Sequence, residues 1–170
     1  PAEPLFRSSH DELSAAAELC KQVYGYLQSV GFEKPLVAFS GNGYHLLYRI
    51  SLAKNDENTE LIHNCLIALD AMFSTDKVKI DTVNYNPSRI CKLYGTMAQK
   101  GANTEKRPHR MAGILNQECE LIPTKKIYLE TLASSVHVEK VKAESYNGYN
   151  PNGFDNRRSE ERRVGKECRS

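Results

Sequence analysis

The chain lacks the features that would place it in a membrane or outside the cell. No window of its 170 residues approaches the roughly 18 consecutive apolar positions that a membrane helix needs. No basic-then-apolar segment opens it as a secretion signal would. Its five cysteines, at positions 20, 65, 91, 119 and 168, are odd in number and widely spaced, so neither a disulfide framework nor a Cys-x-x-Cys metal or redox site is suggested. A cytoplasmic protein is the expectation. Internal repeats of the solenoid kind are also missing. So is a strong charge of one sign: 23 Lys and Arg meet 21 Asp and Glu, a formal net charge of +2. What is present, 40% apolar and 26% charged residues over this length, suits one globular domain with a core of its own.

The two ends are read separately. Pro1-Ala-Glu-Pro4 does not begin with Met, and the expectation is that residues have been cut away upstream. From Arg158 to Ser170 the chain looks like the in-frame translation of a sequencing-adapter oligonucleotide, so that stretch is set aside from fold reasoning. Without it the basic and acidic residues balance and the remainder is formally neutral. Residues 145–156 combine two Asn-Gly pairs with Asn-Pro and show no apolar periodicity, the composition of a flexible linker. The expected organisation is a domain over residues 1–135, a linker over 136–157 and the adapter-like stretch over 158–170.

Within the domain, Ser9-His-Asp-Glu12 has capping-box spacing, and Leu13, Ala16, Ala17, Cys20, Val23, Tyr24 and Leu27 follow at helical spacing until Gly31. Residues 36–39 and 44–50 read as strands joined at Ser40-Gly-Asn-Gly43, a hairpin signal. A second helix starts near Asn55, with Leu61, Ile62, Cys65, Leu66, Leu69, Met72 and Phe73 as its apolar stripe. Residues 78–82 and 89–95 read as further strands around Asn86-Pro87, followed by a polar, basic loop over 99–110. A short strand at 112–115 and a helix over 125–132 complete the pattern. Helices alternating with hairpin-joined strands predict an α+β fold, a two-layer sandwich with a mixed or antiparallel sheet.

Strand alternation sorts the side chains by face before any chemistry is assigned. His45, Leu47 and Arg49 share one face, while Tyr44, Leu46, Tyr48 and Ile50 share the apolar face. Val78, Ile80 and Thr82 likewise oppose Lys79 and Asp81. If these strands are neighbours, His45 and Asp81 face one site. The turn with Ser40, Gly41 and Gly43 brings backbone N–H groups near His45, a nest for an anion. Arg89, Lys92, Lys100, Lys106, Arg107 and Arg110 follow within thirty residues, a phosphate-binding composition around one carboxylate. Each feature also has an ordinary reading: a plain hairpin turn, a structural histidine, a strand-end carboxylate, a solvated loop. Strict alternation puts Arg89 and Lys92 on opposite faces, so without a bulge they do not both line the site. Cys20 and Cys65 fall on apolar stripes as core thiols. His63, His109 and His137 show no ligand spacing.

Taken in order, Ser40-Gly-Asn-Gly-Tyr-His45, Val78-Lys-Ile-Asp81 and Asn86-Pro-Ser-Arg-Ile-Cys-Lys-Leu-Tyr-Gly-Thr96 resemble the archaeo-eukaryotic primase superfamily. The likeness is to the primase-polymerase domains of phage, plasmid and other mobile-element replication proteins, and it covers roughly residues 8–115. The resemblance implies an RRM-like sheet and a DNA primase or primer-extending nucleotidyltransferase working on a single-stranded DNA template. It implies that Ser40, Gly41, Gly43 and His45 bind the incoming nucleoside triphosphate, with Arg89 and Lys92 stabilising phosphate charge, and that Asp81 holds Mg²⁺ or Mn²⁺. His45 and Asp81 are then the catalytic candidates, and Lys100, Lys106, Arg107 and Arg110 the nucleic-acid contacts. A fused or associated replicative helicase is a further expected partner, and no membrane is. Two-metal transfer needs more acids than Asp81, because one ion activates the attacking hydroxyl while the other neutralises the leaving pyrophosphate.

The family's first motif, an Asp-x-Asp pair ahead of the first helix, has no counterpart in residues 1–7, where Glu3 is the one carboxylate. The chain alone is therefore expected to be inactive and the activity to belong to a longer parent. The competing reading is a non-catalytic module that recruits single-stranded nucleic acid to a replication complex. An unrelated RRM-like RNA binder fits less well, since Tyr44 and Tyr48 fall on the core face rather than forming a stacking platform.

Overall fold

Helix α1 (His10–Ser29) begins where its capping box dictates: Glu12 N–H donates to Ser9 Oγ at 3.2 Å and Ser9 N–H donates to Glu12 Oε2 at 2.7 Å. It ends at Gly31, whose φ of +95° suits glycine and whose missing side chain makes room for the Tyr128 ring, 2.7 Å from where a Cβ would stand. This computed structural model describes residues 7–116 and 120–136. Glu3, Cys119, His137, Cys168, the segment 145–156 and the adapter-like stretch lie outside the described residues.

A hairpin of β1 (Leu36–Phe39) and β2 (Tyr44–Leu47) follows, paired Leu36 to Leu47 through Phe39 to Tyr44. Helix α2 (Asp56–Phe73) is capped by Asn55, whose Oδ1 accepts from Asn58 N–H at 2.8 Å. Two very short strands, β3 (Met97–Ala98) and β4 (Arg110–Met111), form an antiparallel ribbon, and β5 (Gly113–Ile114) then crosses to pair with β1. Helix α3 (Lys126–Ser134) closes the described part. The fold is α+β, and the described residues form three helices, an antiparallel sheet in the order β2-β1-β5 and the separate β3-β4 ribbon. No helix among the described residues is long and apolar enough to cross a membrane.

The core gathers Val23 and Leu27 of α1, Phe32, Cys65, Ala68 and Leu69 of α2, and Leu129 and Leu132 of α3, with Leu46, Tyr48 and Ile80 packed against it. The apolar face assigned to the hairpin is thus correct at Leu46 and Tyr48. Ile50, expected beside them, is 42% exposed because β2 ends at Leu47. Beyond that point only an isolated parallel bridge joins Ile50 to Thr124. Cys65 is a core thiol as expected: its Sγ donates to Leu129 O at 3.2 Å, and burial pushes its pKa up to about 11. Burial likewise raises the Cys20 thiol.

The strands expected at 78–82 and 89–95 do not form. Backbone donors there go to nearby side chains and turns instead of a ladder: Val78 N–H to Thr75 Oγ1 at 3.2 Å, Ile80 N–H to Ser74 Oγ at 2.8 Å and Arg89 N–H to Asn86 O at 3.0 Å, while just outside them Val83 N–H goes to Asp81 Oδ1 at 3.0 Å and Ser88 N–H to Asn86 Oδ1 at 2.9 Å. Asp, Asn and Ser compete with sheet pairing in this way. The period-two alternation survives nonetheless, with Val78, Ile80 and Thr82 half-buried and Lys79 and Asp81 exposed.

Candidate functional site

The hairpin turn is built around one hydroxyl. Ser40 Oγ donates to Gly43 O at 3.0 Å and accepts from the N–H groups of Asn42 and Gly43 at 3.3 and 3.1 Å. The N–H groups expected to form an anion nest are therefore turned onto Ser40 itself. Gly41, with φ +93°, sits against the ribbon: a Cβ there would lie 2.5 Å from Ala98 Cβ and 3.2 Å from Arg110 O. Glycine is required at that position by both conformation and space.

Two residues beyond the turn, His45 projects from β2 opposite Ala38, which also pairs with Ile114 of β5. The chain just before β5 brings in the next component. Ala112 N–H donates to Thr96 O at 2.9 Å, and Gly95 N–H donates to Ala112 O at 2.8 Å. These bonds place Tyr94 beside the hairpin, and its hydroxyl meets His45 Nδ1 at 2.7 Å, with the rings edge to face at 6.0 Å. Nε2 has no hydrogen-bond partner among the described residues, and the residue is half-buried. Burial lowers the pKa of His45, and the charge of Asp81 opposes that shift. The Asp81 charge thus acts on His45 electrostatically, but the strand whose pairing was expected to bring the two residues to one face does not form. Sequence reasoning left Tyr94 without a role. Its one signal is alternation, because Lys92, Tyr94 and Thr96 are half-buried between exposed neighbours.

The remaining candidates are placed elsewhere. Lys92 donates through Nζ to Met97 O at 3.1 Å, bracing its own turn. Arg89 and Lys106 are exposed. Arg107 reaches Glu12 with two 2.8 Å bonds and also donates to Arg7 O, and Arg110 donates to Ser8 O at 2.8 Å. Lys100 takes part through its carbonyl, which accepts from Arg7 Nε and Nη2 at 2.8 and 2.6 Å. Three of the four expected nucleic-acid contacts thereby tie the 99–110 loop to the start of α1. Arg7, only 5% exposed, is the central plug of that arrangement and carried no sequence signal.

Asp81 Oδ1 accepts from Val83 N–H and Oδ2 from Asn84 Nδ2 at 2.7 Å. Both oxygens keep lone pairs, but no group of three His, Cys, Asp or Glu gathers among the described residues. One carboxylate with a histidine does not fit a two-ion Mg²⁺ or Mn²⁺ centre. Compared with family models, curated proteins and solved structures, the chain gives no match to any of them.

Proposed function

We propose that this chain carries the nucleotide-binding face of a DNA primase-polymerase type nucleotidyltransferase, with His45 as the group that meets the triphosphate. The observation that supports this reading is the half-buried imidazole anchored at Nδ1, with Nε2 unpartnered among the described residues and the ring within the electrostatic reach of Asp81, on a hairpin whose sequence resembles the family's triphosphate-binding motif. An N–H at Nε2 is the donor that a phosphate oxygen accepts, and a donor already held in place loses little freedom on binding. The fixed turn of Ser40, Gly41 and Gly43 sets the direction in which β2 presents that ring. Divalent ions for the transfer step would need an acidic pair outside the described residues. On this reading the protein works in the cytoplasm on single-stranded DNA, with a replicative helicase fused or associated.

Two measurements test it. ATP titrated into the chain is expected to shift the His45 ring resonances, and His45→Ala is expected to weaken binding about tenfold, the worth of one charge-assisted hydrogen bond. In a longer protein supplied with an acidic pair, template, nucleotides and Mg²⁺ or Mn²⁺, Asp81→Ala is expected to abolish synthesis. Undiminished synthesis in that variant would remove Asp81 from the proposal, and unchanged ATP binding in His45→Ala would remove the nucleotide site.

A further inference from the structure

The Tyr94 hydroxyl and the His45 ring form a side-chain hydrogen bond that joins the hairpin to the strand-poor segment at the site. A histidine held by one ring nitrogen presents the other in a defined protonation pattern, because the partner decides where the proton sits. A carbonyl or carboxylate partner would draw the proton to Nδ1 and leave Nε2 a bare acceptor, the wrong group to meet phosphate. A tyrosine hydroxyl that donates to Nδ1 leaves the proton on Nε2. It also stops the ring from rotating about its Cβ–Cγ bond.

We propose that Tyr94 is the positioning residue for His45, donating to Nδ1 so that Nε2–H faces the phosphate chain of a nucleoside triphosphate; this rests on the nucleotide-binding reading of the site. The surroundings of Tyr94 are built to hold it. Gly95 follows with φ +88°, its N–H donates to Ala112 O at 2.8 Å, and Thr96 Oγ1 donates to Leu93 O at 2.6 Å. The backbone on the C-terminal side of Tyr94 is therefore pinned to the strand that runs into β5. Opposite His45 on β1, Ala38 adds no bulk on the face they share. Burial raises the Tyr94 pKa above the ordinary tyrosine value, with the Cys91 thiol adding to the shift, so the hydroxyl keeps its proton and remains a donor at neutral pH.

The test is a double-mutant cycle on the full 170-residue chain, with ATP as the probe and inorganic tripolyphosphate as a second probe lacking base and sugar. Tyr94→Phe is expected to weaken both ligands about fivefold in the wild-type background, as loss of one hydrogen bond would. In the His45→Ala background it is expected to have no further effect. An equal loss in both backgrounds would show that Tyr94 acts without His45 and overturn the proposal, as would unchanged affinity in Tyr94→Phe alone. If wild type binds and His45→Ala binds equally well, the nucleotide reading itself fails, an outcome distinct from failure of the Tyr94 step. Ring ¹⁵N spectra of ligand-free wild type decide the point independently of whether Tyr94→Phe folds. They are expected to show the proton on Nε2 and an accepting Nδ1, and a proton on Nδ1 overturns the assignment.

Discussion

The helical part of the molecule and the segment from 74 to 111 are held together by different forces. Around α1, α2 and α3 the apolar stripes meet one another, and Leu27 and Leu132 are only 2% exposed. In the second region Ile90 is 94% and Leu93 73% exposed, so burial contributes little there. Asp81, Asn86, Thr96 and Arg7 instead bond to backbone groups and fix the chain turn by turn. Apolar burial is non-directional and tolerates adjustment, whereas hydrogen bonds set positions and directions. The candidate site draws on both: His45 stands on the hairpin packed against the core, while Tyr94 and Asp81 come from the region set by polar bonds.

Breaking the comparison starts with the largest effect. Leu132→Ala is expected to cost about 2 to 5 kcal/mol and Leu93→Ala within about 0.5 kcal/mol, both read from urea denaturation. Similar losses at the two positions would mean that the second region is packed as tightly as the first. Gly41→Ala, where the hairpin turn meets the β3-β4 ribbon, is expected to cost about 2 kcal/mol through its positive φ and the approach of Ala98. Thermal melting measures that loss, and amide exchange should localise it to residues 40–43 and 97–111. A subtler probe is Asp81→Asn. Because the Asp81 charge favours the protonated imidazole, its removal is expected to lower the His45 pKa further, as followed by NMR titration. No change would place Asp81 outside the site.

Legibility in the sequence follows the same division. Helices α1 and α2 and the hairpin were readable because caps, apolar stripes and the Ser-Gly-Asn-Gly turn are local signals that burial then reinforces, while α3 forms without a side-chain cap. The strands at 78–82 and 89–95 were misread because alternation describes faces, not pairing. Val78, Ile80 and Thr82 do alternate, yet Thr75, Ser74 and Asn86 take backbone donors of Val78, Ile80 and Arg89 that a ladder would use. For the site, alternation suggested that His45 and Asp81 share a face only if a strand at 78–82 paired beside the hairpin, and that strand does not form. Alternation did not foresee that Ser40 would fill the turn with its own hydroxyl, or that Arg107 and Arg110 would bind the start of α1 through bonds between residues about a hundred positions apart.

The smallest expected effect separates the two roles of Glu12. Its carboxylate closes the capping box of α1 and also receives Arg107, and it is held at about 2 instead of 4.5. The Arg107 hydrogen bonds contribute most to that depression and the Ser9 N–H follows, while desolvation works against them. A depressed carboxylate stabilises the fold above its unfolded value, and the contribution fades as pH falls from 4.5 towards 2. The Glu12 side chain is 45% exposed, so salt screens the pair and the effect stays small. The loss should fall on the 99–109 loop, because Arg107 is its tie to α1, and should leave α2 untouched. Amide protection relative to the intrinsic exchange rate is expected to fall across that pH window in the loop first. Glu12→Gln keeps an acceptor for Ser9 N–H but removes the titrating charge, so loop protection in this variant should be lower at neutral pH and flat across the window. A loop that still loosens between pH 4.5 and 2 in Glu12→Gln would mean that another carboxylate ties it down, and that the second region does not depend on the first in the way the Arg107 bonds imply.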